Sequence, residues 1–363
     1  MFDKIKVKSL KLKTSELPSV KNNEYDLPAL TAGIQNQGLN TYVKRDKATI
    51  LKNVISISAN GANTGATFYQ SNEFTVLQDS YAIEWKYSEN KLTDKQYIFC
   101  VGAISKVIYG NYEWTNKAGW EKVKNENIQL PITPTGEIDF DFMESFISEL
   151  EEERISELNA YLEITGLKDY TLTQEEENAL QDFKGKEWGV FEIGELFDFL
   201  TSKKRFDANK IKILENGNHP YIVRTALNNG TKGYLNENEE YLNSGNTFSF
   251  GQDTATIFYQ KEPYFTGDKI KIVKAKDESF NAKNALYFLT SMNKSFQVYS
   301  WGSSSFNVDI LSKEKMFLPM QNNSPNYTFM ETFISAIQKL VIKDVVLYAD
   351  KKICATKDVI QKR

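Results

Sequence analysis

Apolar residues recur at every second position in some segments of this chain and at every third or fourth position in others. The same order of segments occurs twice. Alternation at every second position predicts strands within residues 27–86 and again within 219–275. Each set of strands precedes a short helical stretch and then a long one, in which apolar residues recur at every third or fourth position. We expect the long helices over residues 138–164 and 327–348. Their apolar stripes are Met143, Ile147 and Leu150 in the first helix and Met330, Ile334 and Ile337 in the second.

A close sequence repeat supports this division into halves. Residues 142–148 (FMESFIS) and 329–335 (FMETFIS) agree at all seven positions except for one Ser-to-Thr difference, and a Leu-Pro pair precedes each. Such agreement indicates an internal duplication. The alignment extends backwards, because residues 27–42 match 219–234, residues 61–70 match 251–260, and residues 2–10 match 188–196 in apolar spacing.

The order of these elements predicts a mixed α+β fold with two similar domains. We place the first domain at residues 1–130, its spacer helix and linker at 131–187, the second domain at 188–320, and the second spacer helix and tail at 321–363. Short helices over residues 95–107 and 284–297 complete the domains. In the linker, Thr173 with Glu176 three positions later is typical of a capping box and predicts a short connecting helix.

Charge is distributed unevenly along the chain. The 363 residues have a formal net charge of −4, yet residues 131–187 alone contain four basic and sixteen acidic residues. An acidic spacer therefore separates two bodies of near-neutral to basic charge. Its glutamates form either a solvated helix face or a site for a basic partner. No stretch resembles a signal peptide or a membrane span, and the two cysteines are far apart, which favours a cytoplasmic protein.

Residue types that carry catalysis are sparse. His219, the sole histidine, precedes a proline at the start of a predicted strand, which favours a packing role. The sequence has no Cys/His metal constellation and no phosphate-binding or dinucleotide fingerprint. Glu84-Trp85-Lys86 weakly resembles a nuclease carboxylate–lysine pattern, but ordinary strand alternation explains it as well. We therefore predict no catalytic residue and no metal site.

Polar and basic loop residues instead recur at matching places in both halves. Amide, carboxylate and hydroxyl groups are suited to base edges, and lysine and arginine to phosphates. The candidates in the first half are Lys44, Arg45, Asn60, Asn63 and Thr64. Those in the second half are Lys203, Lys204, Arg205, Arg224, Lys232, Gln252, Asp253, Thr254, Ser303 and Ser304.

The ordered set of motifs resembles the specificity (S) subunit of type I restriction–modification systems and of related type II systems. The motifs are a Pro-opened strand with Asn-x-Gly, a Gly-x-Asn/Asp-Thr loop and a Leu-Pro pair before a long helix, each present twice. The resemblance implies two target-recognition domains that each bind one half of a two-part DNA sequence. It also implies that the spacer helices pack as an antiparallel coiled coil with pseudo-two-fold symmetry.

The same resemblance assigns the chemistry to other chains. Adenine methylation from S-adenosylmethionine would belong to methyltransferase (M) subunits, and cleavage with ATP and Mg to restriction (R) subunits, so this chain would be a non-catalytic specificity subunit without a cofactor. The first domain begins almost at Met1, without the leading helix of some members. Two alternatives stay open: a non-catalytic protein- or carbohydrate-binding protein with two modules on a helical stalk, and a piece split from a fused restriction–methylation enzyme.

Overall fold

The computed structural model of the chain describes residues 1–87, 91–252, 254–296 and 307–361, with side chains described up to residue 355. It divides into two compact units, Met1–Leu158 (unit 1) and Asn159–Arg363 (unit 2). Within the described ranges, no helix is long and apolar enough to cross a membrane.

Among its described residues, unit 1 combines two small sheets with three helices, the last of which continues past the unit boundary. The strands are β1 (Phe2–Lys4), β2 (Leu27–Leu30), β3 (Leu39–Val43), β4 (Val54–Ser58), β5 (Thr67–Gln70), β6 (Thr75–Val76) and β7 (Ser80–Trp85). The helices are α1 (Asp94–Ile108), α2 (Trp120–Val123) and α3 (Phe140–Ile164). One sheet has the antiparallel order β1-β7-β4-β5, and the other has the order β3-β2-β6 with β2 parallel to β6.

Unit 2 repeats these elements and adds others before and after them. The strands are β8 (Trp188–Glu192), β9 (Phe197–Thr201), β10 (His219–Ile222), β11 (Thr231–Leu235), β12 (Thr247–Gly251), β13 (Thr256–Gln260), β14 (Phe265–Thr266), β15 (Ile270–Ala275), β16 (Lys315–Gln321) and β17 (Ser324–Pro325). The helices are α4 (Gln174–Gln181), α5 (Ile193–Leu196), α6 (Ala282–Phe296), α7 (Val308–Leu311) and α8 (Tyr327–Gln361). The sheet β9-β15-β12-β13 repeats β1-β7-β4-β5, and β11-β10-β14 repeats β3-β2-β6.

The predicted α+β class and the two long helices are confirmed, but one part of the sequence alignment is wrong. Residues 2–10 were matched to 188–196, whereas the strand that occupies the position of β1 is β9. Phe2 of β1 pairs with Trp85 of β7, and Phe197 of β9 pairs with Ala275 at the equivalent position of β15. Apolar spacing alone cannot fix strand register, and β8 instead pairs with β16 in a third sheet of unit 2.

Each long helix is fixed to its own unit at its N-terminal end. Met143 is fully buried in a core with Ile55 and Ile104, and Met330 is fully buried in a core with Phe288. These two predicted stripe residues therefore contribute to packing within their units. Ile147 is also buried, whereas Leu150 and Ile337 are 39% and 36% exposed. The contact between the two stripes stays a prediction.

A matching polar contact supports each of these junctions. Thr93 and Gln96 form a reciprocal capping box at the start of α1, and the Thr93 hydroxyl also donates to Glu144 on α3. At the start of α6, the Asn281 side chain caps the helix and donates to Glu331 on α8, which is the position equivalent to Glu144. The duplication thus preserves the anchoring of each long helix, although the capping residues differ.

In unit 2, a buried ion pair holds α4 against α8. Glu176 is 5% exposed, and its carboxylate accepts hydrogen bonds from Lys339 Nζ at 2.9 Å and from Ser335 Oγ at 2.7 Å. Burial acts to raise the pKa of Glu176, but these hydrogen bonds and one from the Thr173 N–H lower it more, so that the pKa lies below its usual value. The predicted connecting helix and its capping box are confirmed.

We expect Glu176→Gln to lower the free energy of unfolding by about 2 kcal/mol, because the Lys339 ammonium would lose its buried carboxylate. The matched control is Glu177→Gln, since Glu177 is exposed on the same helix turn. Because the pKa of Glu176 is lowered on folding, its contribution is present above the unfolded-state pKa and is lost as the pH falls through the folded-state pKa. Urea unfolding at neutral and acidic pH measures both effects. Equal destabilisation by Glu176→Gln and Glu177→Gln at neutral pH would contradict the stabilising role of the Glu176–Lys339 ion pair.

Candidate nucleic-acid interface

Unit 2 has a cleft of about 730 Å³ that contains several of the predicted DNA-binding residues. We call it the cation cleft, because Arg205, Arg224 and Lys232 line it together. Its floor is formed by Tyr221 and Val223 at the end of β10 and by Gly267 after β14. Thr254, in the turn between β12 and β13, lies at its edge. Residues that are distant in sequence therefore meet at one concave surface, as the phosphate and base contacts of a DNA groove require.

The floor of the cation cleft is held by short, specific contacts. The Tyr221 hydroxyl donates to the Phe206 carbonyl at 2.6 Å, and Phe206 N–H donates to the Thr266 carbonyl at 2.9 Å. Burial raises the pKa of Tyr221, so its hydroxyl stays protonated as a donor. These bonds fix the segment that carries Arg205 alongside β14, where Arg205 forms a parallel bridge with Thr266.

The cations of residues 203–205 have different surroundings. Arg205 lies at the solvent boundary, with its Nη1 3.1 Å from Asp268 Oδ1 and both side chains more than half exposed. An exposed pair of this kind contributes less than about 1 kcal/mol, so a phosphate can replace Asp268 at little cost. Lys204 packs over the Tyr241 ring at 4.1 Å and the Phe206 ring at 4.8 Å. Lys203 is exposed, and its backbone N–H donates to Asn243 Oδ1 at 3.1 Å.

The turn after β12 presents hydroxyl groups beside these cations. Thr254 Oγ1 lies 2.8 Å from Thr256 Oγ1, and the Gln252 N–H donates to the Lys269 carbonyl at 3.1 Å. A Cβ on Gly251 would lie 2.7 and 2.8 Å from the two threonine hydroxyls, so a larger residue there would require both threonine side chains to move. Of the other predicted residues, Asp253, Ser303 and Ser304 lie outside the described residues.

In unit 1, the predicted cations are paired with carboxylates. Arg45 Nε lies 2.8 Å from Asp26, and Arg45 Nη1 lies 2.7 Å from Glu73. Lys44 pairs with Glu24 and lies over the Tyr25 ring. The hydrogen bond from Arg45 holds the pKa of Asp26 below its usual range, and the hydrogen bond to Glu24 raises the pKa of Lys44. Phosphate binding here would have to displace carboxylates that sequence reasoning did not pair with these cations.

The structure corrects the prediction for Thr64. Its side chain is only 2% exposed, and its hydroxyl accepts a hydrogen bond from the Ala118 N–H at 3.0 Å, so it is a packing residue that cannot contact a groove. Gly65 next to it has a φ of +89°, and a Cβ there would lie 2.7 Å from the Ile108 carbonyl. Gly65 therefore allows this loop to pack against the end of α1, whereas Gly61 has no close neighbour.

Two other predicted residues lie beside Thr64 in the same loop. Asn60 donates from Nδ2 to Asp79 Oδ1 at 2.7 Å, and Asn63 is half-buried, with its carbonyl accepting from the Ala66 N–H. Both residues are partly exposed, although the Asn60 Oδ1 atom is itself buried. They stay candidates for base contact, whereas Thr64 does not.

A polar residue that the duplication places in both units has a structural role. Gln70 Nε2 donates to the Gln37 carbonyl and to Ser56 Oγ at 3.3 and 3.0 Å. Gln260 Nε2 donates in the same way to the Asn229 carbonyl and to Ser249 Oγ, at 3.1 and 3.0 Å. Each glutamine thus connects an Asn-x-Gly turn, at residues 36–38 or 228–230, to the neighbouring sheet by hydrogen bonds. Recurrence in both halves alone does not distinguish such supports from residues that face DNA.

Sequence reasoning missed the acidic and aromatic part of the cation cleft. Asp207, Asp268 and Tyr221 line it together with the cations. The Asp207 carboxylate accepts from the Asn209 N–H at 3.0 Å, which shapes the turn after Phe206. Carboxylates accept hydrogen bonds from the cytosine amino group, so they add base-reading capacity to a basic surface. In the sequence, only the closeness of these three residues to predicted strands and to the candidate cations indicated a role at the site.

The structure gives no support for a metal centre within the residues it describes, since no cluster of three or more His, Cys, Asp or Glu side chains could hold an ion there. His219 is in β10, with its Nε2 3.6 Å from Glu239 Oε1 and its ring edge-on to Phe265 at 5.8 Å. These contacts agree with the packing role predicted for it.

Comparison with known proteins identifies the repeated unit. A family model described as the type I restriction modification DNA specificity domain matches the chain twice, over residues 4–160 and 185–347. The first match covers the two sheets of unit 1 and most of α3, and the second covers the three sheets of unit 2 and α8 as far as residue 347. The duplication inferred from residues 142–148 and 329–335 therefore corresponds to two copies of one domain.

Two individual proteins give further comparisons. The chain is 33% identical over 152 residues to S.BcgI, a type II restriction enzyme specificity subunit of Heyndrickxia coagulans. This similarity covers 41% of the chain and spans 43% of the length of that relative. The crystal structure of a type I restriction–modification S subunit from M. genitalium aligns with 100% of the chain and 94% of its own, with a TM-score of 0.55 and 15% identity. That alignment shows a shared fold.

Proposed function

The chain belongs to the family of type I restriction modification DNA specificity domains, and on this premise we propose that it binds a two-part DNA sequence, each unit contacting one half. The observation that carries the proposal is the cation cleft, in which Arg205, Arg224 and Lys232 surround exposed hydroxyl and carboxylate groups. The cations are suited to phosphates, and the polar groups are suited to base edges. Two copies of one domain account for a target with two separate halves.

The proposal assigns positioning to this chain and chemistry to its partners. In it, the chain directs methyltransferase subunits that methylate adenine from S-adenosylmethionine, and restriction subunits that cleave DNA with ATP and Mg. The chain itself acts as a non-catalytic specificity subunit and binds no cofactor. Support comes from the family match and from the similarity to a specificity subunit. The proposal covers both type I and type II arrangements.

The spacing between the two DNA halves is proposed to come from α3 and α8. In this proposal the helices pack antiparallel as a coiled coil with pseudo-two-fold symmetry. The exposed apolar residues Leu150, Ile337 and Val341 are consistent with a helix-to-helix contact. Rigid separation of two recognition surfaces fixes the distance between the bases that they contact, as dimer geometry does in other DNA-binding proteins.

The proposal is tested by replacing polar side chains of the turn after β12, in which Thr254 lines the cation cleft and Gln252 lies two positions before it. We expect Thr254→Ala or Gln252→Ala to lower discrimination at one or two base pairs of a single half-site, by about 1–3 kcal/mol per lost contact. Binding is measured on duplexes randomised at each position, with the methyltransferase partner present. The control is Thr290→Ala, which removes an exposed hydroxyl from α6, away from the cleft. Equal changes at both half-sites, or no salt-dependent binding to duplex DNA, would contradict the proposal.

A further inference from the structure

Unit 1 has a small cleft at the place that the cation cleft takes in unit 2. We call it the lysine cleft and define it by Lys8, Lys11 and Gln78, which line it. Its volume is about 180 Å³. The segment after β1 and the turn after β6 form this cleft, and the equivalent segments of unit 2, after β9 and after β14, help to form the cation cleft. The duplication therefore places a concave surface at corresponding positions of both units.

One hydrogen bond is shared by the two segments that carry the cations. The registers of β1 and β9 make Lys8 the equivalent of Lys203. The Lys8 N–H donates to Thr49 Oγ1, and the Lys203 N–H donates to Asn243 Oδ1, both at 3.1 Å. Each bond holds the segment against the stretch of chain before β4 or β12. The two clefts therefore have a common backbone framework.

The charges of the two clefts come from different positions. The three cations of the cation cleft are replaced by uncharged residues in unit 1, namely Leu10, Ala32 and Asn40. Lys8 and Lys11 line the lysine cleft instead, and both are exposed. Lys11 has a φ of +49°, so the chain turns there and both lysines lie at one cleft. Each unit thus presents cations at the same place of its fold.

Pairing distinguishes these lysines from the cations that the sequence singled out in unit 1. Lys44 pairs with Glu24, and Arg45 pairs with two carboxylates. In the part of the chain that the structure describes, no carboxylate lies within 4 Å of the Nζ atom of Lys8 or Lys11. A phosphate that approaches the lysine cleft therefore displaces no carboxylate, whereas one that approaches Arg45 must do so.

The turn after β6 connects the lysine cleft to the loop that carries the remaining candidates for base contact. Gln78 lines the cleft, and the next residue, Asp79, accepts a hydrogen bond from Asn60 Nδ2 at 2.7 Å. Asn63 belongs to the same loop as Asn60. Phosphate contacts set the register of a protein on duplex DNA, and base contacts beside them carry the sequence information. The lysine cleft has the position that such a phosphate contact requires.

We propose that the lysine cleft binds backbone phosphates of the half-site that unit 1 contacts. Lys8 and Lys11 are the phosphate-binding cations, in place of Lys44 and Arg45. This inference rests on the proposed function, since it takes duplex DNA as the ligand of unit 1. Each unit then binds phosphates through a cleft at the same place of its fold, with its own set of cations.

The test neutralises both lysines of the cleft in the double variant Lys8→Gln with Lys11→Gln. Affinity for every duplex sequence is expected to fall by roughly 50-fold near 0.1 M salt, and the slope of log affinity against log salt by about two. The measurement is a salt titration with the methyltransferase partner present. The comparison variant, Lys44→Gln with Arg45→Gln, removes the same charge and should change the slope much less. A slope that falls with the comparison variant and not with the lysine-cleft variant would overturn the proposal.

Phosphate-ethylation interference locates the lost contacts on the DNA. The lysine-cleft variant should lose interference at phosphates of one half-site, and Arg205→Glu with Lys232→Glu should lose it at the other. Loss at the same half-site in both variants would overturn the proposal. If only the cation-cleft variant lowered the salt slope, the lysine cleft would not bind phosphate and the proposed function would stand. If neither variant lowered it, the proposed function itself would be contradicted.

Discussion

Reversing two cations of the cation cleft, Arg205→Glu together with Lys232→Glu, is expected to lower affinity for every duplex sequence by at least about 100-fold near 0.1 M salt. Each phosphate contact that is lost lowers the slope of log affinity against log salt by about 0.9, so the slope should fall by about two. The effect is uniform because phosphates carry no sequence information. The measurement is a salt titration of binding with the methyltransferase partner present.

A second double variant serves as a control and separates the loss of phosphate contacts in the cleft from the change in net charge. Lys313→Glu together with Lys315→Glu makes the same charge change in unit 2 at positions that do not line the cation cleft. These substitutions should change affinity much less, because the altered charges do not line the cleft and salt screens exposed charges over about 10 Å. If both double variants lost affinity equally, the cleft would not be the phosphate-binding surface.

Inserting four residues within residues 149–157 of α3 is expected to change which DNA is modified while leaving each half-site unchanged. The insertion adds roughly 6 Å to the helix, against about 3.4 Å per base pair of DNA. The gap between half-sites should therefore lengthen by one or two base pairs. Four residues also rotate the C-terminal part of the helix by some 40° relative to a full turn, so modification should become slower as well.

A loop insertion provides the control for the altered helix. Four residues added after Lys21, in an exposed loop of unit 1, should leave the gap unchanged. Mapping of modified bases decides between the outcomes. An unchanged gap in the α3 variant, or new bases within a half-site, would show that the helices do not set the spacing.

The elements could be predicted from sequence where periodicity is strong or where the chain repeats itself. The long helices, α1, α6 and α4 with its capping box were all predicted, because apolar spacing and cap residues are local properties. The match of Phe2 to Trp188 failed because strand register depends on the partner strand, and the partner of β1 is β7, far along the chain. The local pattern of apolar residues does not identify a partner strand that is so far away in sequence.

The site was predictable only in part, for a related reason. Arg205, Arg224, Lys232 and Thr254 were grouped from sequence as candidates for DNA contact, and the structure brings them to one cleft, although Lys232 lies in β11 and not in a loop. Thr64 was indistinguishable from them in sequence, since its burial depends on Ala118 from a distant turn. The carboxylates that pair with Arg45 also come from separate segments, at Asp26 and Glu73. The chemical type of each side chain can be read from the sequence, whereas its exposure and its ionic partners depend on tertiary contacts.

The central claim is that two copies of one domain each contact half of a two-part DNA sequence. Sequencing of modified bases in DNA treated with the chain and its methyltransferase partner tests it most directly, comparing the unaltered chain with Thr254→Ala. The expected result is two short fixed sequences separated by a constant gap, with Thr254→Ala relaxing one or two positions in one half only. A single continuous site, or relaxation in both halves at once, would contradict the claim.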